Sequence, residues 1–102
     1  MADYYVKAVP SKRQLNKGIR GINKIVKSKL TARKMAVKFI DKDPNAYAEI
    51  YDGDYVGYRQ ENLIYKIQYL DKHNAYFCDV INDKKWDGFK TLNQDGTFQK
   101  RK

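Results

Sequence analysis

Apolar residues recur at helical spacing in the segment that follows Pro10. At 100° per residue these positions share one face, and a row of cations lies on the opposite face. Ser11 followed three residues later by Gln14 is the pattern of a capping box, which marks the start of a helix. We therefore predict one long amphipathic helix over residues 11–30. Its apolar face comprises Leu15, Ile19, Ile22, Val26 and Leu30.

Two glycines interrupt this helical pattern. In a helix interior, Gly18 and Gly21 would each cost roughly 0.5 to 1 kcal/mol relative to alanine. A glycine also lets another backbone approach closely, so we expect both to pack tightly on the protein's own sheet. The motif GIRG matches neither the P-loop nor the dinucleotide-binding pattern, and it does not indicate a nucleotide site.

The apolar positions of residues 31–41 fit either a helix or a strand. In a helix, Arg33 and Lys34 would lie near the N-terminus and Asp41 at the C-terminus, each against the helix dipole. On these charge grounds we favour a strand over residues 35–41.

The rest of the sequence consists of short apolar runs separated by turn residues. The Asp-Gly pair at 52–53 is a strong hairpin signal between residues 46–51 and 54–59. Further turns are predicted at residues 71–74 and 94–96. These runs indicate an antiparallel β-meander.

Together these elements predict a single α+β domain over residues 1–102. A short N-terminal strand and the long basic helix (about 11–30) pack on the β-meander (about 35–100). The sheet is either open or curled into a partial barrel.

The charge is unevenly distributed within the formal net charge of +9. Residues 4–40 contain eleven cations and no acid, whereas residues 41–99 contain more acids than cations. The helix also lacks glutamates four residues before its lysines, so its cations have no local partners. This pattern indicates an anionic partner. The predicted nucleic-acid-binding residues are Lys12, Arg13, Lys17, Arg20, Lys24, Lys27, Arg33 and Lys34, supported by Lys7 and by Lys100, Arg101 and Lys102 at the C-terminus.

Tyrosine is unusually frequent, with nine residues in the chain. Tyrosine is a good strand residue that covers a small core with its ring, and we expect most of these tyrosines to be structural. On an open sheet, however, tyrosine rings beside lysines stack on unpaired bases. We therefore name Tyr47, Tyr51 and Tyr58 as candidates for base stacking.

Residues suited to metal binding or catalysis are scarce. His73 and Cys78 are the single histidine and the single cysteine. A zinc site needs about four ligands, so we expect no metal and no other cofactor. We interpret Cys78 as a small buried hydrophobe. One cysteine fits a reducing compartment, and the N-terminus lacks the pattern of a secretory signal, so we expect a cytoplasmic protein that does not associate with membranes.

These features favour a binding protein over an enzyme. Lysine acts as a point charge, whereas base recognition favours the arginine fork. We therefore predict a protein that grips the phosphate backbone of DNA or RNA with little sequence preference. The richness in lysine, tyrosine and asparagine is typical of a phage, a plasmid or a low-GC bacterium. A basic helix and a more acidic sheet in one chain also permit pairing between copies.

Two other functions fit the same features. One is a small phage-type inhibitor whose basic helix binds an acidic host protein. The other rests on a resemblance in size, charge and element order to small basic ribonuclease toxins of the RelE and ParE type. That resemblance implies RNA cleavage, with Arg59, Tyr65, Lys66 and His73 as the candidate side chains.

Overall fold

The computed structural model describes residues 3–53, 62–81 and 88–99, in which six strands form one sheet. The elements are β1 (Tyr4–Val9), α1 (Lys12–Asn16), β2 (Ile22–Val26), α2 (Lys29–Ile40), β3 (Tyr47–Asp52), β4 (Leu63–Leu70), β5 (Ala75–Val80) and β6 (Gly88–Leu92). The strand order is β2-β1-β3-β4-β5-β6, and every neighbouring pair is antiparallel.

The predicted α+β class is confirmed. The longer helix, α2, packs on one face of the sheet and contacts β1, β2, β3 and β4. Strands β2 and β6 lie at opposite edges, so the sheet formed by the described residues is open and not closed into a barrel. No helix in this part of the chain is long and apolar enough to cross a membrane.

The single helix predicted over residues 11–30 is wrong beyond its first turn, since α1 ends at Asn16. The capping box is present, because the Ser11 hydroxyl accepts from the Gln14 amide and the Gln14 side chain accepts from the Ser11 amide. The helix then ends, since Gly18 has a left-handed φ of 83°. Residues 22–26 pair with β1 instead.

The error has a physical reason. A spacing of four residues, as between Ile22 and Val26, places two side chains on one face of a helix and also on one face of a strand. Both residues are β-branched and pack partly buried against the core from β2. Their spacing was therefore compatible with both structures.

The strand predicted over residues 35–41 is also wrong, because this segment forms the second half of α2. Ser28 caps the helix by accepting from the Thr31 amide, and Asp41 ends it in the left-handed conformation. Adverse charges near helix ends cost about 0.3 to 1 kcal/mol each. Burying several apolar side chains outweighs that cost. The buried residues of α2 are Ala32, Ala36, Val37 and Ile40.

The turn predictions have different outcomes. The turn at residues 71–74 is confirmed, and it joins β4 to β5. The turn near residues 94–96 is also confirmed, because Leu92 bridges Phe98 across it. Strand β3 pairs with β1 on one edge and with β4 on the other, and residues 54–59, its predicted hairpin partner, lie outside the described residues.

Cys78 lies on the sheet face that α2 covers, and its side chain has no exposed surface. Burial raises the pKa of its thiol to about 12. Because the thiolate is the reactive form, we expect a water-soluble disulfide reagent at about pH 8 to modify Cys78 only when the protein unfolds. The rate in native buffer should fall far below the rate in urea. Rapid modification of the native protein would contradict the described burial.

Candidate nucleic-acid interface

A groove of about 620 Å³ runs between α2 and the edge strand β2. Its lining combines apolar side chains with lysines from both walls. We call this surface the lysine groove. Its apolar residues are Ile19, Ile22, Met35 and Phe39, and its cations are Lys24, Lys34 and Lys38.

Local structure explains how the three lysines come together. Lys24 pairs with Val6 across the β1–β2 ladder, and Val6 is buried on the face that α2 covers. The side chain of Lys24 therefore lies on the same side of the sheet as α2. Lys34 and Lys38 are four residues apart and share one side of α2. All three lysines are exposed, and none forms an ion pair with another described residue.

The cationic surface continues past one end of the groove. A second, smaller depression is lined by Arg13 and Lys17, and it shares Gln14, Ile19 and Asp41 with the lysine groove. A hydrogen bond fixes this junction, because the Gln14 side chain donates to the Phe39 carbonyl at 2.8 Å. The cations of α1 are therefore held beside the C-terminal end of α2.

Two carboxylates, Asp41 and Asp43, lie within this cationic region, and Asp43 is already engaged. The Ser11 hydroxyl donates to Asp43 at 2.5 Å. This hydrogen bond holds the pKa of Asp43 below its usual value against the opposing effect of burial, with assistance from the nearby charges of Arg13 and Lys17. Asp43 is thus ionised at neutral pH and offsets part of the charge of Arg13 and Lys17.

The cations predicted to line one helix face are distributed over several elements. Lys12 and Arg13 lie in α1, and Lys17 is its C-cap. Arg20 is exposed in the loop before β2. A single cationic helix face does not exist, because the helix stops before Gly18.

Two of the predicted binding cations contact other side chains or backbone groups of the same protein. The Lys27 ammonium lies 2.6 Å from the Asp3 carboxylate. Arg33 donates to the Gly96 carbonyl at 2.9 Å and to the Tyr65 hydroxyl at 3.3 Å. Its guanidinium carbon also lies 4.4 Å from the centre of the Phe98 ring. Arg33 thus fastens the C-terminal turn to α2.

The helix-free face of the sheet carries two of the three candidate stacking residues. Tyr47 and Tyr51 alternate with residues of the helix-covered face. Tyr51 is only 1% exposed, and its hydroxyl donates to Glu49. The Tyr47 ring is partly exposed and lies 5.6 Å from the Lys66 ammonium. Tyr58 lies outside the described residues, as do Lys100, Arg101 and Lys102.

The charges on that face are balanced. Across β1, β3, β4 and β5, the strand register places Lys7 opposite Glu49, Glu49 opposite Lys66, and Lys66 opposite Asp79. Cations and acids alternate across this row. The excess positive charge of residues 4–40 is therefore not concentrated there, in contrast to the lysine groove.

The candidate ribonuclease residues do not converge. The Tyr65 side chain is buried on the helix-covered face, where burial raises its pKa. Lys66 follows it in β4 and lies on the opposite face. His73 lies in the turn after β4, with its ring 5.5 Å from that of Phe77. Arg59 falls outside the residues that the structure describes.

Within the described ranges, no group of three or more histidine, cysteine, aspartate or glutamate residues is arranged to hold a metal ion.

Sequence reasoning missed Lys38 and the apolar lining residues Met35 and Phe39. All three were assigned to a strand. The signal that could have identified them was Ser28, a good N-cap placed just before a helical apolar period.

Comparison with known protein families, with curated proteins and with solved structures finds no match to this chain.

Proposed function

We propose that the protein binds the phosphate backbone of nucleic acid through the lysine groove and the adjoining cations of α1. The observation that carries the proposal is the convergence of Lys24, Lys34 and Lys38, from two separate elements, without an ion pair to any described acid. Three exposed ammonium groups around one groove repel each other. An anionic ligand relieves that repulsion.

The residue types favour backbone contact over base recognition. Each cation of the lysine groove is a lysine, whose ammonium is a point charge on a flexible stem. A particular base edge is typically recognised by an arginine fork or a side-chain amide. We therefore expect affinity that varies little with nucleotide sequence and strongly with salt.

The test is a salt titration of binding with a matched pair of charge variants. The groove variant changes Lys24 and Lys38 to glutamine, and it spares Lys34 because the charge of Lys34 also acts on Asp95 in the C-terminal turn. The control changes Lys66 and Lys72, which are exposed and do not line the groove, to glutamine. Both variants lose the same charge. Fluorescence anisotropy with single- and double-stranded DNA and RNA gives log affinity against log salt.

We expect the groove variant to bind more weakly and to lose up to about 1.8 from the duplex salt slope, or about 1.4 from the single-strand slope. The control should keep most of the parent slope. Equal slopes for the parent and the groove variant would show that the lysine groove does not bind phosphates. If the parent binds no nucleic acid at all, an acidic protein partner becomes the better explanation of the charge.

A further inference from the structure

We infer that the lysine groove receives unpaired bases, so that the preferred ligand is single-stranded nucleic acid. This inference rests on the proposed function and specifies its ligand. It starts from a property that phosphate binding leaves unexplained, which is the apolar lining between the lysines.

The apolar lining is accessible. Ile19 is 40% exposed, and Met35 and Phe39 are partly exposed although they also pack against the core. Phosphates gain nothing from contact with such side chains, because an anion is better solvated by water. A ligand that fits the whole groove therefore combines negative charge with an apolar surface.

An unpaired nucleotide has this combination. Its base presents two apolar ring faces, and its phosphate supplies the charge. In a duplex the ring faces are stacked inside the helix, and the outside presents phosphates and base edges. The apolar residues of the groove would thus stay without a ligand surface on duplex DNA, whereas single strands can lay bases on them.

The extent of the cations favours a nucleic-acid strand over an acidic peptide with apolar anchors. Four apolar side chains line the groove, but cations continue beyond it to Arg13 and Lys17 at one end and to Lys42 beyond α2. The ligand therefore carries charge beyond the segment that fills the groove. A nucleic-acid strand carries a phosphate at every unit and satisfies this requirement without a special sequence.

The test replaces one exposed groove residue and one matched residue outside the groove. Ile19→Ser removes apolar surface from the groove, and Ile19 is not among the side chains of the hydrophobic core. Leu15→Ser is the control, because Leu15 is 54% exposed and does not line the groove. Ile19→Phe supplies a larger apolar surface at the same position. Thermal unfolding checks that each variant is folded.

Three probes of equal phosphate number separate the contributions: an oligothymidine, the same backbone without bases, and a DNA duplex. We expect the parent to bind the oligothymidine most tightly. Ile19→Ser removes apolar surface that a base would cover, so it should lower that affinity by about tenfold and change the other two affinities by less than about twofold. Leu15→Ser should match the parent, and Ile19→Phe should bind the oligothymidine at least as well as the parent.

Other outcomes overturn the inference, and they distinguish it from the proposed function. If the parent binds the three probes equally, or if Ile19→Ser weakens all of them alike, the groove does not receive bases but phosphate binding stands. If none of the probes binds, both proposals fail together. Binding of an acidic peptide in place of the probes, abolished by Ile19→Ser, would assign the groove to a protein partner.

Discussion

Gly96→Ala is expected to lower the free energy of unfolding by about 2 to 5 kcal/mol, the largest effect of any substitution considered for this protein. Gly96 has a φ of 87°, which costs an alanine roughly 1 to 2 kcal/mol. A β-carbon at this position would also lie 2.6 Å from the backbone nitrogen of Lys34. Because that neighbour is backbone within α2, it cannot rotate away.

The clash can be relieved only if the C-terminal turn moves away from α2. That movement would break the hydrogen bond from Arg33 to the Gly96 carbonyl and the contact between Arg33 and the Phe98 ring. Movement of the turn away from α2 therefore also lowers the free energy of unfolding, because these contacts are lost.

Gly18→Ala provides the matched control. Gly18 has a nearly equal φ of 83°, but a β-carbon there would meet no atom within 4 Å. Gly18→Ala should lower the free energy of unfolding only by the roughly 1 to 2 kcal/mol that a left-handed φ costs an alanine. Urea denaturation of both variants and the parent gives the comparison. Equal losses in the two variants would show that the approach of the turn to α2 contributes nothing.

The local signals of the sequence were the most informative ones. The capping box at Ser11 and Gln14 predicted the start of α1, and the turn residues 71–74 predicted the β4–β5 hairpin. Both signals act through hydrogen bonds or dihedral preferences within a few residues. Such preferences do not depend on the rest of the fold, and for this reason they were readable from the sequence.

The period of the apolar residues was less informative, because it does not specify what covers them. Ile22 and Val26 fit a helix, but residues 22–26 hydrogen-bond to the edge of β1 that β3 leaves open, and this pairing makes them a strand. The converse holds for α2, where apolar residues that alternate like a strand are buried by packing a helix on the sheet. In both segments tertiary contacts outweighed local preference.

The location of the candidate site followed from these long-range contacts. The acid-free composition of residues 4–40 predicts an anionic partner from the sequence alone, and that partner stays a prediction. The grouping of Lys24 with Lys34 and Lys38 depends on β2 lying beside α2. No spacing along the chain reveals that arrangement, because it arises from the order of strands in the sheet.

Gly21→Ala is expected to lower the free energy of unfolding by about 1 to 3 kcal/mol and Tm by at least about 4 °C. The predicted close approach to the protein's own sheet is present at Gly21, in the loop before β2 and not in a helix, but it is wrong for Gly18, where a β-carbon would meet no atom within 4 Å. A β-carbon there would lie 2.8 Å from the carbonyl oxygen of Ala8, which belongs to β1. Relief of that contact requires the start of β2 to move away from β1.

Arg20→Ala is the control for this variant, because Arg20 is the exposed neighbour of Gly21 in the same loop. Its truncation should change stability by less than about 0.5 kcal/mol. Had residues 18–21 been helical with a free flank, Gly21→Ala would instead stabilise the protein by roughly 0.5 to 1 kcal/mol. The direction of the change in Tm therefore decides between the two arrangements. The pairing of β2 with β1 and the contact at Ala8 arise from the same approach of the two strands. That pairing also brings Lys24 to the lysine groove. A raised Tm would therefore contradict the pairing.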